Sequence, residues 1–349
     1  MDGVLSRPSI QSPVFLIQLA DSDVRFECAG DDTVLRAALR QGLAFPYECN
    51  VGSCGNCKFE VLDGTIESNW PQAPGLSEKD KIKNRQLGCQ CKPTSNLTIK
   101  FRAHDKYRPV HQPLKLRGTI IGQHPLTHDL SEFHIQLAQP MTFSSGQYAV
   151  FQLPGVAGVR AYSMSNSGGT STDLEIQVRR TPEGIGSKTL FELTTGSDIE
   201  LDGPYGMAYL REDSSRDILC LAGGSGLAPM LSVARGAMRS ASLQNTRVHF
   251  LYGGRTAADI CGRALLEQTE NWRTRGSYQA VVSANGAEQA LPEGYLAGFL
   301  HEAAERLFGD ALSTMEIYFA GPAVMAQAIL KLLVERKVNM DHVHFDQFY

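Results

Sequence analysis

Three closely spaced cysteines have the clearest chemistry in this chain. Cys49, Cys54 and Cys57 lie in the run PYECNVGSCGNCK, and a fourth candidate, Cys89 or Cys91, follows in LGCQC. The spacing C-x4-C-x2-C with a distant fourth cysteine is the pattern with which thiolates hold a [2Fe-2S] cluster. Glycines in the short loop between the cysteines let the backbone wrap tightly round an inorganic core. Structural zinc sites favour cysteine pairs separated by a longer loop, so the pattern favours iron–sulfur over zinc or disulfides.

The length and composition describe an ordinary multidomain protein. The chain has 349 residues, with 33 basic and 37 acidic side chains and a formal net charge of -4. This length predicts two or three domains. Because there is no basic excess, neither nucleic acid nor a membrane surface is expected as a partner. The first residues lack a basic stretch followed by an apolar segment, and the cysteines follow a metal pattern, so a cytoplasmic protein is expected.

The elements that must position the cysteines precede them in the chain. The segment 14–28 predicts two strands, and an amphipathic helix follows that ends near Gly42. This order of strand, strand, helix and cysteine loop resembles the β-grasp ferredoxin, and we place the domain at 12–104. The polar stretch 104–113 contains two prolines and predicts a linker.

The rest of the chain shows two further patterns, each typical of a different kind of domain. Between 113 and 210, short β-patterned runs alternate with turn residues, which predicts a small antiparallel β-barrel. Residues 214–349 show strand-then-helix units, with helices predicted near 258–269 and 323–336, and this pattern is typical of a doubly wound parallel sheet. Glycines and a proline interrupt the apolar run 218–234, which favours strand, turn and helix over a membrane span. The expected fold class is multidomain, combining α+β and α/β parts.

A second group of candidate residues, Arg160, Tyr162 and Ser163, lies in the barrel. An arginine can neutralise a flavin diphosphate, a tyrosine can stack on the isoalloxazine, and a serine can hydrogen-bond near the flavin N5. With the ferredoxin-like module in front, the chain resembles the reductase components of bacterial multicomponent ring-hydroxylating oxygenases, of the benzoate dioxygenase reductase type within the ferredoxin–NADP reductase superfamily. The resemblance spans essentially the whole chain and implies these flavin roles. It also implies that Cys89 is the fourth ligand, because the family's ligand directly follows a pair that is Leu87-Gly88 here.

The resemblance assigns two further segments to FAD. They are a strand ending in Val-Arg and a G-x-x-S turn that opens a helix. A helix N-terminus preceded by glycine presents free N–H groups to a diphosphate. Arg180, beyond the strand, is expected to be merely solvated. The residues implied in FAD binding are Val178, Arg179, Gly184, Gly186 and Ser187.

A glycine-rich turn marks the nucleotide domain. The run GGSGLAP follows the strand DILCLA and leads into a predicted helix, which is the context of a dinucleotide-binding turn. No acidic residue closes the next strand, and Arg255 follows LYGG instead, where it can contact ribose, adenine or a 2′-phosphate. Proline is tolerated in the first turn of a helix, where no N–H is needed. The residues expected to bind the nucleotide in this turn are Gly223, Gly224, Ser225, Gly226 and Pro229.

The C-terminal region adds two motifs by resemblance. FAGP corresponds to the family's Cys-Gly-Pro beside the nicotinamide: Gly321 and Pro322 match, whereas Ala320 replaces the usual cysteine. The ending HFDQFY resembles the family's aromatic tail, in which Phe348 or Tyr349 covers the flavin face, with packing of a C-terminal strand as the alternative. The expected catalytic residues are Tyr162, Ser163 and Phe348.

These features predict an NAD(P)H-dependent iron–sulfur flavoprotein that passes electrons through FAD and the cluster to an oxygenase or an intermediate ferredoxin. FAD must stand between the other two carriers because nicotinamide gives two electrons at once and the cluster takes one. By the resemblance, the partner is an aromatic-ring dioxygenase and NADH is preferred over NADPH. The alternatives are a reductase for a diiron monooxygenase or for deoxysugar biosynthesis, and outside catalysis a redox sensor or a zinc-binding interaction protein.

Overall fold

A computed structural model describes residues 12–283 and 291–348 of the chain. Tertiary contacts divide it into two compact units that meet in sequence between Gln112 and Pro113. The first unit contains, in chain order, β1 (Val14–Leu19), β2 (Arg25–Ala29), α1 (Val34–Arg40), β3 (Lys58–Asp63), β4 (Ile66–Ser68), α2 (Glu78–Ile82), β5 (Arg85–Leu87), β6 (Cys91–Pro93) and β7 (Leu97–Lys100).

The first unit is a twisted sheet packed on α1. Five strands pair in the order β2-β1-β7-β3-β5, with β1 and β7 parallel, and β4 pairs separately with β6. Thr33 caps α1 by accepting a hydrogen bond from the backbone N–H of Arg36, and Gly42 follows the helix with φ of +75°. Val34, Leu35, Ala38 and Leu39 are fully buried, so the predicted apolar stripe of this helix faces the core.

The segment predicted as a linker packs on the first unit. The Arg108 side chain donates to the Gly42 carbonyl at 2.8 Å, and Gln112 donates to the Arg40 carbonyl at 3.0 Å. These contacts fix the segment against the end of α1. The stretch through Gln112 therefore belongs to the first compact unit.

The second unit begins with a six-stranded antiparallel barrel. Its strands pair in the order β11-β10-β13-β8-β9-β12, and a single bridge between Met164 and Ile176 joins the two outer strands. Alternate side chains such as Phe133, Ile135 and Phe151 fill the interior. The elements are β8 (Leu114–Pro125), β9 (Leu130–Phe143), β10 (Tyr148–Gln152), β11 (Val159–Ser163), β12 (Gly169–Arg179), α3 (Ile185–Glu192) and β13 (Asp198–Tyr205).

The rest of the second unit is a parallel sheet covered by helices. Its elements are β14 (Ile218–Gly223), α4 (Leu227–Arg239), β15 (Val248–Gly254), α5 (Arg263–Glu267), α6 (Trp272–Arg275), β16 (Gly276–Val282), β17 (Leu296–Ala297), α7 (Leu300–Phe308), β18 (Glu316–Pro322), α8 (Ala323–Glu335) and β19 (Val343–Phe348). The strand order is β17-β16-β15-β14-β18-β19. Successive strands β15, β16 and β17 are added on one side of β14, and the order then reverses, so that β18 and β19 lie on its other side. In such sheets, ligands bind at the carboxyl ends of the strands that flank the reversal, here β14 and β18.

Both faces of this sheet are buried, as expected for parallel strands. Cys220 and Phe250 belong to the core cluster beneath α4, whereas Leu221 and Ile317 belong to the cluster beneath α7 and α8. The predicted fold class is thus confirmed. The helix predicted near 258–269 is wrong in length: a 3-10 turn at Ala257–Asp259 and the short α5 form instead, because Gly262 before α5 has φ of +88° and interrupts the helix.

Candidate redox centres

The four predicted cluster ligands come together as two sulfur pairs. Cys49, Cys54 and Cys57 lie in the loop between α1 and β3, and Cys89 lies between β5 and β6. The Cys57 and Cys89 Sγ atoms are 3.4 Å apart. The backbone N–H of Cys54 donates to Cys49 Sγ at 3.3 Å, and that of Asn56 donates to Cys54 Sγ at 3.4 Å. The backbone therefore already directs donors at the sulfurs, as an anionic cluster requires.

The ionisation of these thiols shows why the group fits a metal cluster. A hydrogen bond from the Cys54 thiol lowers the pKa of Cys49 to about 5, and the same contact raises the pKa of Cys54. A hydrogen bond from Cys57 likewise lowers the pKa of Cys89, and the pKa of Cys57 is raised. Each pair thus contains one cysteine whose pKa is lowered, and cysteines ligate iron as thiolates.

Two glycines allow the cysteine loop to turn tightly. Gly52 and Gly55 have φ of +95° and +77°, in the region that favours glycine. A Cβ on Gly55 would lie 2.6 Å from the Gly75 carbonyl oxygen, and one on Gly52 would lie 3.1 Å from the Trp70 ring. Only glycine fits these two positions, so the loop can fold tightly round a core held by the sulfurs.

Two residues beside the sulfurs were missed by the sequence reasoning. Arg36 is only 9% exposed, and its guanidinium bonds the side chain and carbonyl of Asn50 at 3.2 Å each. Its charge contributes to lowering the pKa of Cys89. The Nδ2 donor of Asn50 is buried and finds no hydrogen-bond partner among the described residues. An arginine within an otherwise largely apolar helix was the available signal for Arg36.

Cys91 lies outside the two sulfur pairs. It begins β6, where it pairs with Ser68 across the ladder, and its thiol approaches Gln86 Oε1 at 3.9 Å. Burial raises its pKa to about 12, so it stays a protonated thiol. The assignment of the fourth ligand to Cys89 remains a prediction, and the grouping of the sulfurs supports it.

The barrel residues predicted for flavin share one strand. Arg160, Tyr162 and Ser163 lie on β11, and the ring of Phe151 packs 5.5 Å from that of Tyr162. Burial raises the pKa of Tyr162 to about 12, so its phenol stays neutral. Ser163 is 8% exposed. The strand thus offers one cation, one aromatic face and one hydroxyl in sequence.

The start of α3 meets Arg160. A Cβ on Gly186 would lie 2.8 Å from Arg160 Cγ, so glycine is what allows this approach. Gly184 caps α3 without a side-chain hydrogen bond, which leaves N–H groups of the first turn for a ligand. A guanidinium beside a helix N-terminus fits a diphosphate. Ser187 is used differently, because its hydroxyl bonds the Gly184 carbonyl and Thr181.

Val178 and Arg179, the last two residues of β12, lie in different surroundings. The Val178 side chain is 2% exposed in the barrel core, so only its backbone is available to a cofactor. The guanidinium of Arg179 instead lies against the nucleotide turn, where a Cβ on Gly224 would be 3.4 Å from its Cζ. Its Nε is 3.5 Å from Asp129 Oδ2. The structure therefore brings Arg179 to the predicted nucleotide residues.

The nucleotide turn and the Ala-Gly-Pro segment lie side by side. Ala222 and Ala320 pair on parallel β14 and β18, so the residues after them share one edge of the sheet. A Cβ on Gly226 would overlap the Ala320 carbonyl oxygen, and one on Gly223 would lie 2.5 Å from Met325 Sδ. Ser225 lies within the turn and Pro229 within the first turn of α4. This edge is the binding crevice expected at the reversal of strand order.

The other predicted residues of this domain lie at the same edge. Phe348 pairs with Pro322 at the ends of β19 and β18 and packs partly against the core, and Gly321 precedes Pro322. Arg255 follows β15 and is exposed. Tyr349 lies outside the described residues.

Asp259, a residue that the sequence analysis did not single out, holds the loop that carries Arg255. Its Oδ2 accepts from the backbone N–H groups of Arg255 at 3.0 Å and Thr256 at 2.8 Å. Its other oxygen, Oδ1, is buried and has no hydrogen-bond partner in the described ranges. Burial opposes ionisation, but the bonds from Thr256 and the charge of Arg179 keep the pKa of Asp259 below its usual value.

The alternating histidines near the C-terminus have a structural partner. Glu316, at the start of β18, accepts from His342 Nδ1 at 2.9 Å and His344 Nε2 at 2.6 Å, and Ser214 donates to it at 2.8 Å. Glu316 is only 2% exposed. These contacts tie β19 to β18.

Comparisons with known proteins identify the class. Residues 17–94 match the 2Fe-2S iron-sulfur cluster binding domain, 117–209 the oxidoreductase FAD-binding domain, and 220–331 the oxidoreductase NAD-binding domain. These matches confirm the predicted [2Fe-2S], FAD and nicotinamide nucleotide. The fold and its sites therefore define an NAD(P)H-dependent iron–sulfur flavoprotein oxidoreductase.

Similar proteins narrow the class to a family. The chain is 36% identical to the ferredoxin–NAD(P)+ reductase CarAd of Metapseudomonas resinovorans over 92% of this chain and 96% of the relative. It is also 36% identical to the ferredoxin–NAD+ reductase component of the alkene monooxygenase system of Xanthobacter autotrophicus, over 93% and 97%. The solved ferredoxin reductase in carbazole 1,9a-dioxygenase superposes with a TM-score of 0.88 at 34% identity, covering 97% and 99%. The chain belongs to the family of reductase components of multicomponent oxygenase systems.

Among residues 12–283 and 291–348, none forms a helix of the length and apolarity that crossing a bilayer needs.

Proposed function

We propose that this protein is the reductase component of an aromatic-ring dioxygenase and passes electrons from NADH to the oxygenase or to an intermediate ferredoxin. The observation that carries the proposal is that three groups of residues, each suited to one carrier, occur on one chain. They are the sulfur pairs, Arg160 with the first turn of α3, and the carboxyl edge of the parallel sheet. We assign these groups to modules spanning 12–104, 113–210 and 214–349. Bound FAD would convert the two-electron donor into the one-electron supply that the cluster needs.

The residues divide between flavin and nucleotide by position. Arg160 and the first turn of α3 would neutralise the flavin diphosphate, while Tyr162 and Ser163 would orient the ring. The turn Gly223–Gly226 would receive the nucleotide diphosphate, because N–H groups at the start of α4 face the crevice edge. Arg179 supports this second site rather than the first, since its guanidinium lies against Gly224.

The nucleotide assignment can be tested separately from the flavin. Arg179→Ala should weaken binding of NAD+ and NADH while the purified protein keeps its full FAD content. Titration calorimetry with NAD+ and the flavin absorbance give the two readouts. Loss of FAD with unchanged NAD+ affinity would return Arg179 to the flavin site.

NADH is proposed as the preferred donor, although the exposed Arg255 is chemically suited to a 2′-phosphate. Steady-state kcat/KM values for NADH and NADPH decide the matter. If NADPH proves better, the preference should disappear in Arg255→Ala.

A monooxygenase partner is the second candidate, and the similarity to the reductase component of the alkene monooxygenase system favours it. The deciding experiment mixes the FAD- and iron-loaded protein with NADH and either a Rieske dioxygenase or a diiron hydroxylase, each tested for product. Product formation only with the diiron enzyme would overturn the dioxygenase assignment. Within the cell we place the protein in the cytoplasm, because its cysteines follow an iron–sulfur ligand pattern instead of a disulfide framework.

A further inference from the structure

An exposed tryptophan lies at the solvent side of the cluster ligands. Trp70 is 42% exposed, whereas the chain's other tryptophan, Trp272, is 4% exposed. Its ring packs on Gly52, which lies between the ligands Cys49 and Cys54. These two cysteines are only partly buried, while Cys57 and Cys89 are fully buried. Trp70 therefore marks the edge of the unit where the cluster comes nearest to solvent.

The loop that carries Trp70 is held rigidly. Pro71 and Pro74 flank its middle, and the Ala73 N–H donates to the Trp70 carbonyl at 3.1 Å. The Gly75 N–H donates to the Gly52 carbonyl at 3.0 Å, which fixes the loop to the cysteine loop. A preorganised aromatic side chain loses little conformational entropy on binding, and tryptophan is enriched among residues that dominate interface energies.

A basic helix continues from this loop. Ser77 caps α2, and Asp80 within α2 pairs with Lys58, the residue after Cys57, at 2.9 Å. The helix is thus anchored beside the cluster loop. Its exposed side chains include one large apolar residue, Ile82 at 86% exposure, and three lysines: Lys79, Lys81 and Lys83.

The charge of this helix differs from that of the segment that carries the first three ligands. Residues 78–85 carry four basic and two acidic side chains, while residues 12–68 carry nine acidic and four basic ones. A local basic area beside an acidic segment orients an approaching protein by its charge pattern. The partner that fits is one with an acidic docking face.

We propose that Trp70, Ile82 and the lysines of α2 form the surface through which the cluster delivers electrons to an acidic iron–sulfur acceptor protein. We call this surface the α2 face. Trp70 would fill the centre of the contact and exclude water, and the lysines would steer the acidic partner. The inference rests on the proposed function and adds the chemistry of the partner and the place where it binds.

The first experiment reverses charge without touching the cluster loop. In the FAD- and iron-loaded double variant Lys79→Glu/Lys83→Glu, the second-order rate of electron transfer to an acidic Rieske-type ferredoxin should fall at least about tenfold at low salt, and its salt dependence should flatten. Transfer to cytochrome c, a basic protein, should become faster. The matched control Lys100→Glu/Lys106→Glu makes the same change of net charge on other elements of the unit and should leave the preference of the wild type.

The second experiment removes the aromatic anchor. Stopped-flow absorbance separates reduction of the cluster by NADH from reoxidation of the cluster by the ferredoxin. In Trp70→Ala, the reoxidation rate should fall at least about tenfold relative to the reduction rate. Leu16→Ala, which truncates an equally exposed apolar residue on β1, is the control.

The outcomes are distinct. If NADH fails to reduce the wild-type cluster, the proposed function itself is wrong. If NADH reduces the cluster but both sets of variants transfer electrons to the ferredoxin like wild type, the acceptor docks elsewhere and the α2 face is refuted. A fall in the reduction step alone would also refute it, because the face would then receive electrons instead of delivering them. If Trp70→Ala loses its cluster, the charge-reversal series alone decides.

Discussion

Cys89 and Cys91 stand two residues apart in very different surroundings. Cys89 accepts a hydrogen bond from the Cys57 thiol beside the buried charge of Arg36, whereas Cys91 is a protonated thiol on a strand. The cysteine spacing predicted three ligands and narrowed the fourth to two candidates. Cys89 lies in the turn between β5 and β6, and Cys91 begins β6. The choice between them needs the position of each relative to the loop of the first three cysteines, which spacing does not contain.

The choice can be made by substitution. Cys89→Ser should lose the [2Fe-2S] cluster, and Cys91→Ser should keep it, because only Cys89 lies within a sulfur pair. Iron content and visible absorption above the flavin bands measure the cluster. The reverse pattern would move the fourth ligand to Cys91.

FAD affinity depends on Arg160 in the proposed site. Losing one charge-assisted contact costs about 2 to 3 kcal/mol, or about 30- to 150-fold in affinity, so Arg160→Ala should release FAD on dilution. Fluorescence of released FAD gives the dissociation constant. Arg180→Ala is the matched control, because Arg180 is exposed and its guanidinium lies 5.8 Å from the centre of the Phe191 ring. Unchanged affinity in Arg160→Ala would place the flavin elsewhere.

At the scale of elements, strong periodicity was a reliable guide and short elements were not. The strand-then-helix units around β14, β15 and β18 were predicted because buried parallel strands are continuously apolar. The five-residue α2 and the antiparallel pair of β4 and β6 were missed, since three to five residues are too few for a period to emerge. The approach of Arg179 to Gly224 could not be predicted from the sequence either, because the two residues lie 45 positions apart in the chain.

The link between β18 and β19 should depend on pH. Hydrogen bonds from His344, Ser214 and His342 lower the pKa of Glu316 below its ordinary value of 4.5, despite the opposing effect of burial. A depressed carboxyl pKa contributes stability above the ordinary value and loses it as the pH falls through the folded-state value. Glu316→Gln should therefore unfold more easily at pH 7, by about 2 to 3 kcal/mol, and the difference should shrink below about pH 4.5.

Urea unfolding of the two proteins between pH 7 and pH 4 measures this difference. Glu267→Gln, at an exposed position of α5, is a control with the same chemical change. A gap between wild type and Glu316→Gln that stays constant with pH would show that the carboxylate charge is not what ties the strands.

At the scale of the whole molecule, electrons pass from nicotinamide to FAD and then to the [2Fe-2S] cluster. Electrons that leave singly must pass the cluster, whereas hydride from NADH needs only the flavin and nucleotide sites of the second unit. The recognisable sites are all assigned to redox carriers, so the chain itself should transform no organic substrate.

Cys54→Ser separates the two halves of this pathway. Cytochrome c reduction should collapse in the variant, while bleaching of the flavin by NADH under anaerobic conditions should persist. Loss of both activities in a folded, FAD-loaded variant would contradict the order of carriers. Cys220→Ser, which replaces a buried thiol of the parallel sheet, is the control for the substitution itself.

The carboxyl edge of the parallel sheet also bears on how such reductases diversify. Its close contacts are made by the backbone. A side chain at Gly226 would overlap the Ala320 carbonyl oxygen, and Ala222 pairs with Ala320 on the neighbouring strand, so these positions tolerate little change. Arg255 stands beyond the last residue of β15 and is exposed, so its replacement leaves the strand and the core beneath it intact. With the proposed role of Arg255, coenzyme choice would lie at an exposed position outside the core, and a lineage could switch donors without first acquiring a more stable fold.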